Sequence, residues 1–108
     1  MNKNEEEKIC RDALSKWGVS LQFDVAVEEM AELTKELMKY NRRSLLHGDF
    51  HPEVYSDRIA EETSDVEFML AQVKCVFNNH ALVEKIKGEK FARLRERIDS
   101  EKDRRSFS

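Results

Sequence analysis

The chain has 108 residues, 38% of them charged, with three glycines and one proline; this size and composition predict a single all-α domain and argue against a sheet-rich fold. Its formal charge of −3 is unevenly spread: nine Lys/Arg against five Asp/Glu from Lys85 onward leave Met1 to Glu84 at −7, so the acidic part needs solvation or a cationic partner. No apolar run approaches the ~20 residues of a membrane span, and the start MNKNEEEK lacks the basic and apolar segments of a signal peptide. A cytoplasmic protein with no membrane partner is expected.

In chain order, the first predicted helix covers about Asn4 to Trp17 and stops at Gly18, a residue able to take positive φ. Ser20 offers an N-cap for a second helix, Leu21 to about Asn41. The stretch RRSLLHGDFHPEVYS, residues 42–56, contains Gly48 and Pro52 and has no apolar period, so it predicts a connection. Tyr55 or Ser56 then opens a third helix reaching about Asn78. Asn79 caps a fourth segment that runs towards Asp99 with a break expected near Gly88, and residues 100–108 predict a frayed polar tail. The expected architecture is an antiparallel bundle of about four helices with its core helices near 21–41 and 56–78. One chain of this length buries only a modest core, so completion by oligomerisation is part of the expectation.

Lys85, Lys87, Lys90, Arg93, Arg95 and Arg97 alternate with Glu89 and Glu96. Such mixed charge predicts a solvated helix face and no nucleic acid polymer as partner. Cys10 and Cys75 form no Cys-x-x-Cys pair and have no histidines at ligand spacing, so they are read as packing residues.

The two central helices carry one pattern. Helical spacing puts Ala26, Met30, Leu33, Leu37 and Tyr40 on one arc of the second helix, and Ile59, Val66, Leu70, Val73 and Phe77 on one arc of the third. Beside the first arc lie Glu29 and Glu32; beside the second lie Glu62 and Asp65, displaced in the same rotational sense. Antiparallel helices facing each other are related by a twofold axis, so residues offset in the same sense emerge on the same side of the pair. Four carboxylates then converge beside the core.

A single Glu-x-x-Glu on a charged helix is an ordinary solvated face; two copies at matched offsets are harder to explain that way. Converging carboxylates repel, and a bound cation relieves the repulsion. Oxygen-only ligands suit Mg²⁺, Mn²⁺ or Ca²⁺, whereas zinc prefers nitrogen or sulfur. Di-iron bundles use Glu-x-x-His, but Glu32 and Asp65 occupy the fourth positions here. Mg²⁺ binds through a few carboxylates together with substrate phosphates, which points to phosphate chemistry.

At these residues the sequence resembles the MazG-like, all-α nucleoside triphosphate pyrophosphohydrolases. The family pattern E-x-x-E on one helix and E-x-x-D on the next is matched by EEMAEL (residues 28–33) and EETSDV (residues 61–66), and KWGVSLQ, ELTKELMKYNR, FMLAQV and KGEKFARLRERI fit the flanks. The likeness extends over about Leu14 to Ile98, and the segment LLHGDFHPE makes the connection long for the family. The resemblance implies that Glu29, Glu32, Glu62 and Asp65 are the catalytic metal ligands for Mg²⁺, with Mn²⁺ as a substitute. It also implies hydrolysis of (deoxy)nucleoside triphosphates to the monophosphate and pyrophosphate, in nucleotide-pool cleansing.

The resemblance places nucleobase contacts at Trp17 and Gln22, although an indole also serves to close a core. Lys35, Lys39, Lys90 and Arg93 are candidates to meet phosphates, each equally readable as a solvated surface residue. Glu28 and Glu61 point away from the apolar arcs, towards supporting or surface roles, and His47, His51 and His80 have no metal-ligand spacing. Phe68 lies opposite the third helix's arc, where a partner chain would cover it, and family likeness implies a homodimer or homotetramer. Two other readings remain open at this point: a non-catalytic helical interaction module, and a phosphoribosyl-ATP pyrophosphohydrolase of the same superfamily.

Overall fold

The computed structural model describes residues 1–48 and 51–105; Asp49 and Phe50, within the expected connection, and Ser106 to Ser108, within the expected tail, lie outside the described residues. Four helices follow in order: α1 (Lys3–Trp17), α2 (Val19–His47), α3 (Pro52–Phe77) and α4 (His80–Arg105). The protein is an all-α bundle with no strand among the described residues, and none of its described helices is long and apolar enough to cross a membrane. Its contacts group into two compact units, Met1–Phe77 and Asn78–Ser108.

Local chemistry explains most of the boundaries. Asn2 caps α1: its side-chain oxygen accepts from the Glu5 N–H at 2.9 Å, while its amide donates to the Glu5 carboxylate at 3.0 Å. At the other end, Gly18 takes φ +85° and gives its N–H to the Leu14 carbonyl at 2.8 Å. Because α2 starts at Val19, Gly18 rather than Ser20 precedes it, and Ser20 falls in the first turn.

The connection is much shorter than expected. Arg42 to His47 contain nothing that stops a helix, so α2 continues to Gly48, whose left-handed φ of +67° and N–H to Ser44 O at 2.8 Å end it. On the far side α3 opens at Pro52, not at Tyr55 or Ser56, since proline at the first helical position gives up an N–H that would have no helical partner. Asn78 turns the chain at φ +50°. α4 then passes through Gly88 without a break and reaches Arg105 instead of fraying from residue 100. One glycine costs a helix only about 1 kcal/mol, and the later turns carry i,i+4 pairs, Arg95–Asp99 at 2.7 Å and Arg97–Glu101 at 3.0 Å.

Within the first unit, α2 and α3 face each other along a seam. Glu36 pairs with Arg58 at 3.0 Å, the Tyr40 ring meets Tyr55 edge-on at 4.6 Å, and carboxylate oxygens of Glu29 and Asp65 lie within 4.8 Å. Numbers rising on α2 meet numbers falling on α3, so the helices are antiparallel, as expected. The seam residues, 22, 26, 29, 33, 36 and 40 against 55, 58, 62, 65, 69 and 72, alternate three and four apart, the spacing of coiled-coil contact positions. All are buried or half-buried except Arg58.

This seam corrects the expected apolar arcs. On α2 the buried side is rotated by roughly 40° towards the carboxylates, at 3.6 residues per turn. Ala26 is buried, but Met30 and Leu37 are 41% and 44% exposed; on α3 Leu70 and Phe77 are similarly open, while Met69 and Gln72 are buried. α1 packs against both helices and buries Cys10. Phe68 is exposed, as expected.

Glu36 is 6% exposed and its partner Arg58 keeps most of its side chain in solvent. Losing the guanidinium therefore leaves a buried carboxylate with less compensation, softened by the open side of the pair. Arg58→Ala is expected to cost about 1–2 kcal/mol, and adding Glu36→Leu should restore most of it. Urea denaturation of both single variants and the double variant measures this coupling; losses that simply add would show that the pair is not coupled.

Candidate metal centre

Half-way along the seam, Glu29 from α2 and Glu62 and Asp65 from α3 each offer one carboxylate oxygen, and the three oxygens lie within 4.8 Å of one another. All three residues are half-buried. Helical geometry sets this up: Glu62 and Asp65 are three apart and so share a face, and the antiparallel register brings Glu29 level with them.

Electrostatically the trio is strained. Partial burial first, then the charges of Asp65 and Glu62 and a hydrogen bond with Asp65, raise the Glu29 pKa above its ordinary value of 4.5. Partial burial, followed by Asp65 and Glu32, raises that of Glu62. Three hard oxygen donors from rigid helices fit a divalent ion such as Mg²⁺ or Mn²⁺ and offer nothing to favour zinc.

Glu32 is not one of the three. It is exposed, although its charge acts on both Glu29 and Glu62. Glu28 and Glu61 are exposed too, in keeping with their expected orientation. The seam adds the Glu36–Arg58 pair, which sequence reading overlooked; Glu36 lies seven residues after Glu29 and Arg58 four before Glu62, so extending the heptad from the acidic motifs would have found both. Glu36 also contributes charge at Glu62.

Towards the other end of the seam a groove of about 460 Å³ opens between α1, α2 and α3, lined by Trp17, Gln22, Phe68, Met69 and Gln72 among others. Trp17 does not close the core: it is 54% exposed, and the Lys16 ammonium sits 5.4 Å from its ring centre. Gln22 and Gln72 are both buried. Gln72 donates to the Met69 sulfur at 3.3 Å, a weak acceptor. Gln72 was not singled out from the sequence; its register partner Gln22 is the signal that points to it.

Lys35 and Lys39 are exposed on α2, and Lys90 and Arg93 are exposed on α4 within the separate 78–108 unit. The Cys10 thiol, raised to about 11 by burial and by neighbouring Cys75, stays protonated, and the Cys75 thiol donates to the Glu7 carbonyl at 3.8 Å. Both cysteines pack α1 against α3. No protein-family model, curated protein or solved structure matches this chain.

Proposed function

We propose that the chain hydrolyses nucleoside triphosphates to a monophosphate and pyrophosphate with the help of a divalent cation. The observation that carries this reading is the carboxylate trio together with the groove on the same helix pair. Gln22 precedes Glu29 by seven residues and Gln72 follows Asp65 by seven, so groove and trio are about 10 Å apart along both helices. That spacing suits a base in the groove and a phosphate chain at the acids.

In this reading Glu29, Glu62 and Asp65 hold the ion and Glu32 completes the set at the exposed edge. Mg²⁺ bound there would neutralise the phosphates and activate water for attack on the α-phosphorus, releasing pyrophosphate. Trp17 stacks on the base, and the buried carboxamides of Gln22 and Gln72 hydrogen-bond its edge. Lys35 and Lys39 are the proposed cations for phosphate oxygens. The resemblance of residues 28–33 and 61–66 to the MazG-like motifs supports the same reaction, and a cytoplasmic role in nucleotide-pool cleansing accords with it.

The open apolar positions Met30, Leu37, Leu70 and Phe77 support self-association as a homodimer or homotetramer, which would cover them. Sedimentation equilibrium should give a mass of two or four chains; a monomer at micromolar concentration would remove that part.

Turnover should depend strictly on divalent metal, because uncompensated carboxylates repel a polyphosphate. A screen of common ribo- and deoxyribonucleoside triphosphates should release pyrophosphate and lose all activity in excess chelator. Orthophosphate with a nucleoside diphosphate would overturn the proposed bond cleavage, and turnover of phosphoribosyl-ATP alone would reassign the substrate.

Activity and stability should part at Glu62. Glu62→Gln is expected to lower turnover at least about a hundredfold, since a poorly held cation weakens charge neutralisation and water activation. The metal-free variant should nonetheless melt no lower than the parent protein. A carboxyl whose pKa is raised on folding loses stability as pH climbs through and above its ordinary value, which here is 4.5. The advantage of the variant should thus be greatest near neutral pH and fade below that value. Melts across pH in chelator, with a second series in Mg²⁺, check this; wild-type turnover together with a wild-type Mg²⁺-induced shift would take Glu62 out of the site.

A further inference from the structure

Three polar layers follow one another along the α2–α3 seam. Gln22 and Gln72 line the groove, Glu29 and Asp65 belong to the carboxylate trio, and Glu36 and Arg58 come next. Each layer is seven residues from the one before on both helices, or about 10 Å. The groove and the Glu36–Arg58 pair therefore lie on opposite sides of the trio. Among the seam residues Arg58 is the one cation and the one that is exposed, with 63% of its side chain open to solvent. Its Nε lies 3.0 Å from Oε2 of Glu36, a residue only 6% exposed. No other ion pair or hydrogen bond of Arg58 occurs among the described residues. A guanidinium carries five N–H donors, so one inner edge is anchored while the outer donors face water.

We infer that Arg58 binds the terminal phosphates of the nucleotide and thereby selects triphosphates by length. This rests on the proposed reaction and adds the direction in which the substrate lies. With a base in the groove and the α-phosphorus at the acids, the phosphate chain continues along the seam away from the groove, and Arg58 is the seam cation in its path. The planar fork of donors matches paired phosphate oxygens. Those oxygens belong to the group that departs as pyrophosphate, so the same positive charge favours its departure. Glu36 holds the long arginine side chain in place before substrate arrives, which lowers the ordering cost of binding. A diphosphate carries one phosphate fewer past the acids and reaches Arg58 less completely.

A pair that only closed the seam would behave differently: once Glu36 is leucine, losing Arg58 as well would change nothing at the site. The test therefore compares Glu36→Leu with the double variant Glu36→Leu, Arg58→Ala in the full chain, with thermal melts confirming that both are folded. Inorganic triphosphate is titrated calorimetrically at fixed Mg²⁺. Glu36→Leu should bind at least as tightly as the parent protein, because the guanidinium has lost a competing carboxylate. The double variant should bind at least about tenfold more weakly than Glu36→Leu, and Glu36→Leu with Arg58→Lys should recover part of that loss. In turnover, the double variant should raise KM at least about tenfold for a nucleoside triphosphate and less than about threefold for the diphosphate, again relative to Glu36→Leu. No saturable binding by the parent protein, or equal affinity in Glu36→Leu and the double variant, would overturn the inference. Binding that depends on Arg58 without pyrophosphate release would instead remove the proposed reaction and leave this contact standing; pyrophosphate release that ignores Arg58 would do the reverse.

Discussion

Three carboxyl groups stand where a helix pair would ordinarily place leucine. Glu29, Glu62 and Asp65 occupy contact positions of the α2–α3 seam, within 4.8 Å of each other, and that like-charge contact constrains everything around it. The seam must be strong enough elsewhere to hold them. Tyr40 against Tyr55 and Glu36 against Arg58 close it on one side, while buried Ala26 and Met69 close it on the other. The acids are thus fixed by neighbours rather than by attraction among themselves.

Polar layers give the seam a second property. Gln22 with Gln72, Glu29 with Asp65, and Glu36 with Arg58 fall at successive intervals of seven on each helix. A purely apolar seam can slide by one heptad at small cost, whereas sliding here in either direction would part buried Glu36 from Arg58 and buried Gln22 from Gln72. Polar residues at contact positions set register in coiled coils in this way. The arrangement therefore fixes which carboxylates meet as well as that they meet.

Much of this was legible in the sequence. The all-α class follows from composition, and the antiparallel central pair and the meeting of Glu29, Glu62 and Asp65, three of the four acids expected to converge, follow from their spacing relative to apolar neighbours. The centre of the seam did not, because hydrophobicity was used to locate it. Met30, Leu37, Leu70 and Phe77 are apolar yet open, while Gln22, Glu36 and Gln72 are polar yet buried; no hydropathy reading ranks those correctly. Heptad spacing alone would have, since it ignores residue type. The bounds of the connection are hidden for a related reason: Gly48 ends α2 and Pro52 opens α3, but Arg42 to His47 lack an apolar period, and exposed helix has none to show. Glu32 shares the motif of Glu29 but lies about 60° further round α2 from the seam, which explains its exposure.

Gly18 is the whole of the joint between α1 and α2. A Cβ at that position would meet nothing within 4 Å, so its positive φ, not lack of room, excludes other residues. Two consecutive helices that share one residue and no loop behave as a lever on a pin. Trp17 is the last residue of the arm, beside the pin, whereas Ile9 and Cys10, which also line the groove, lie two turns out along it. A small twist of the Gly18 torsions would move those outer residues by ångströms and Trp17 hardly at all. The indole thereby stands at the fixed end of the groove, while the middle of α1 is held in place by buried Cys10 and by the Cys75 thiol on the Glu7 carbonyl.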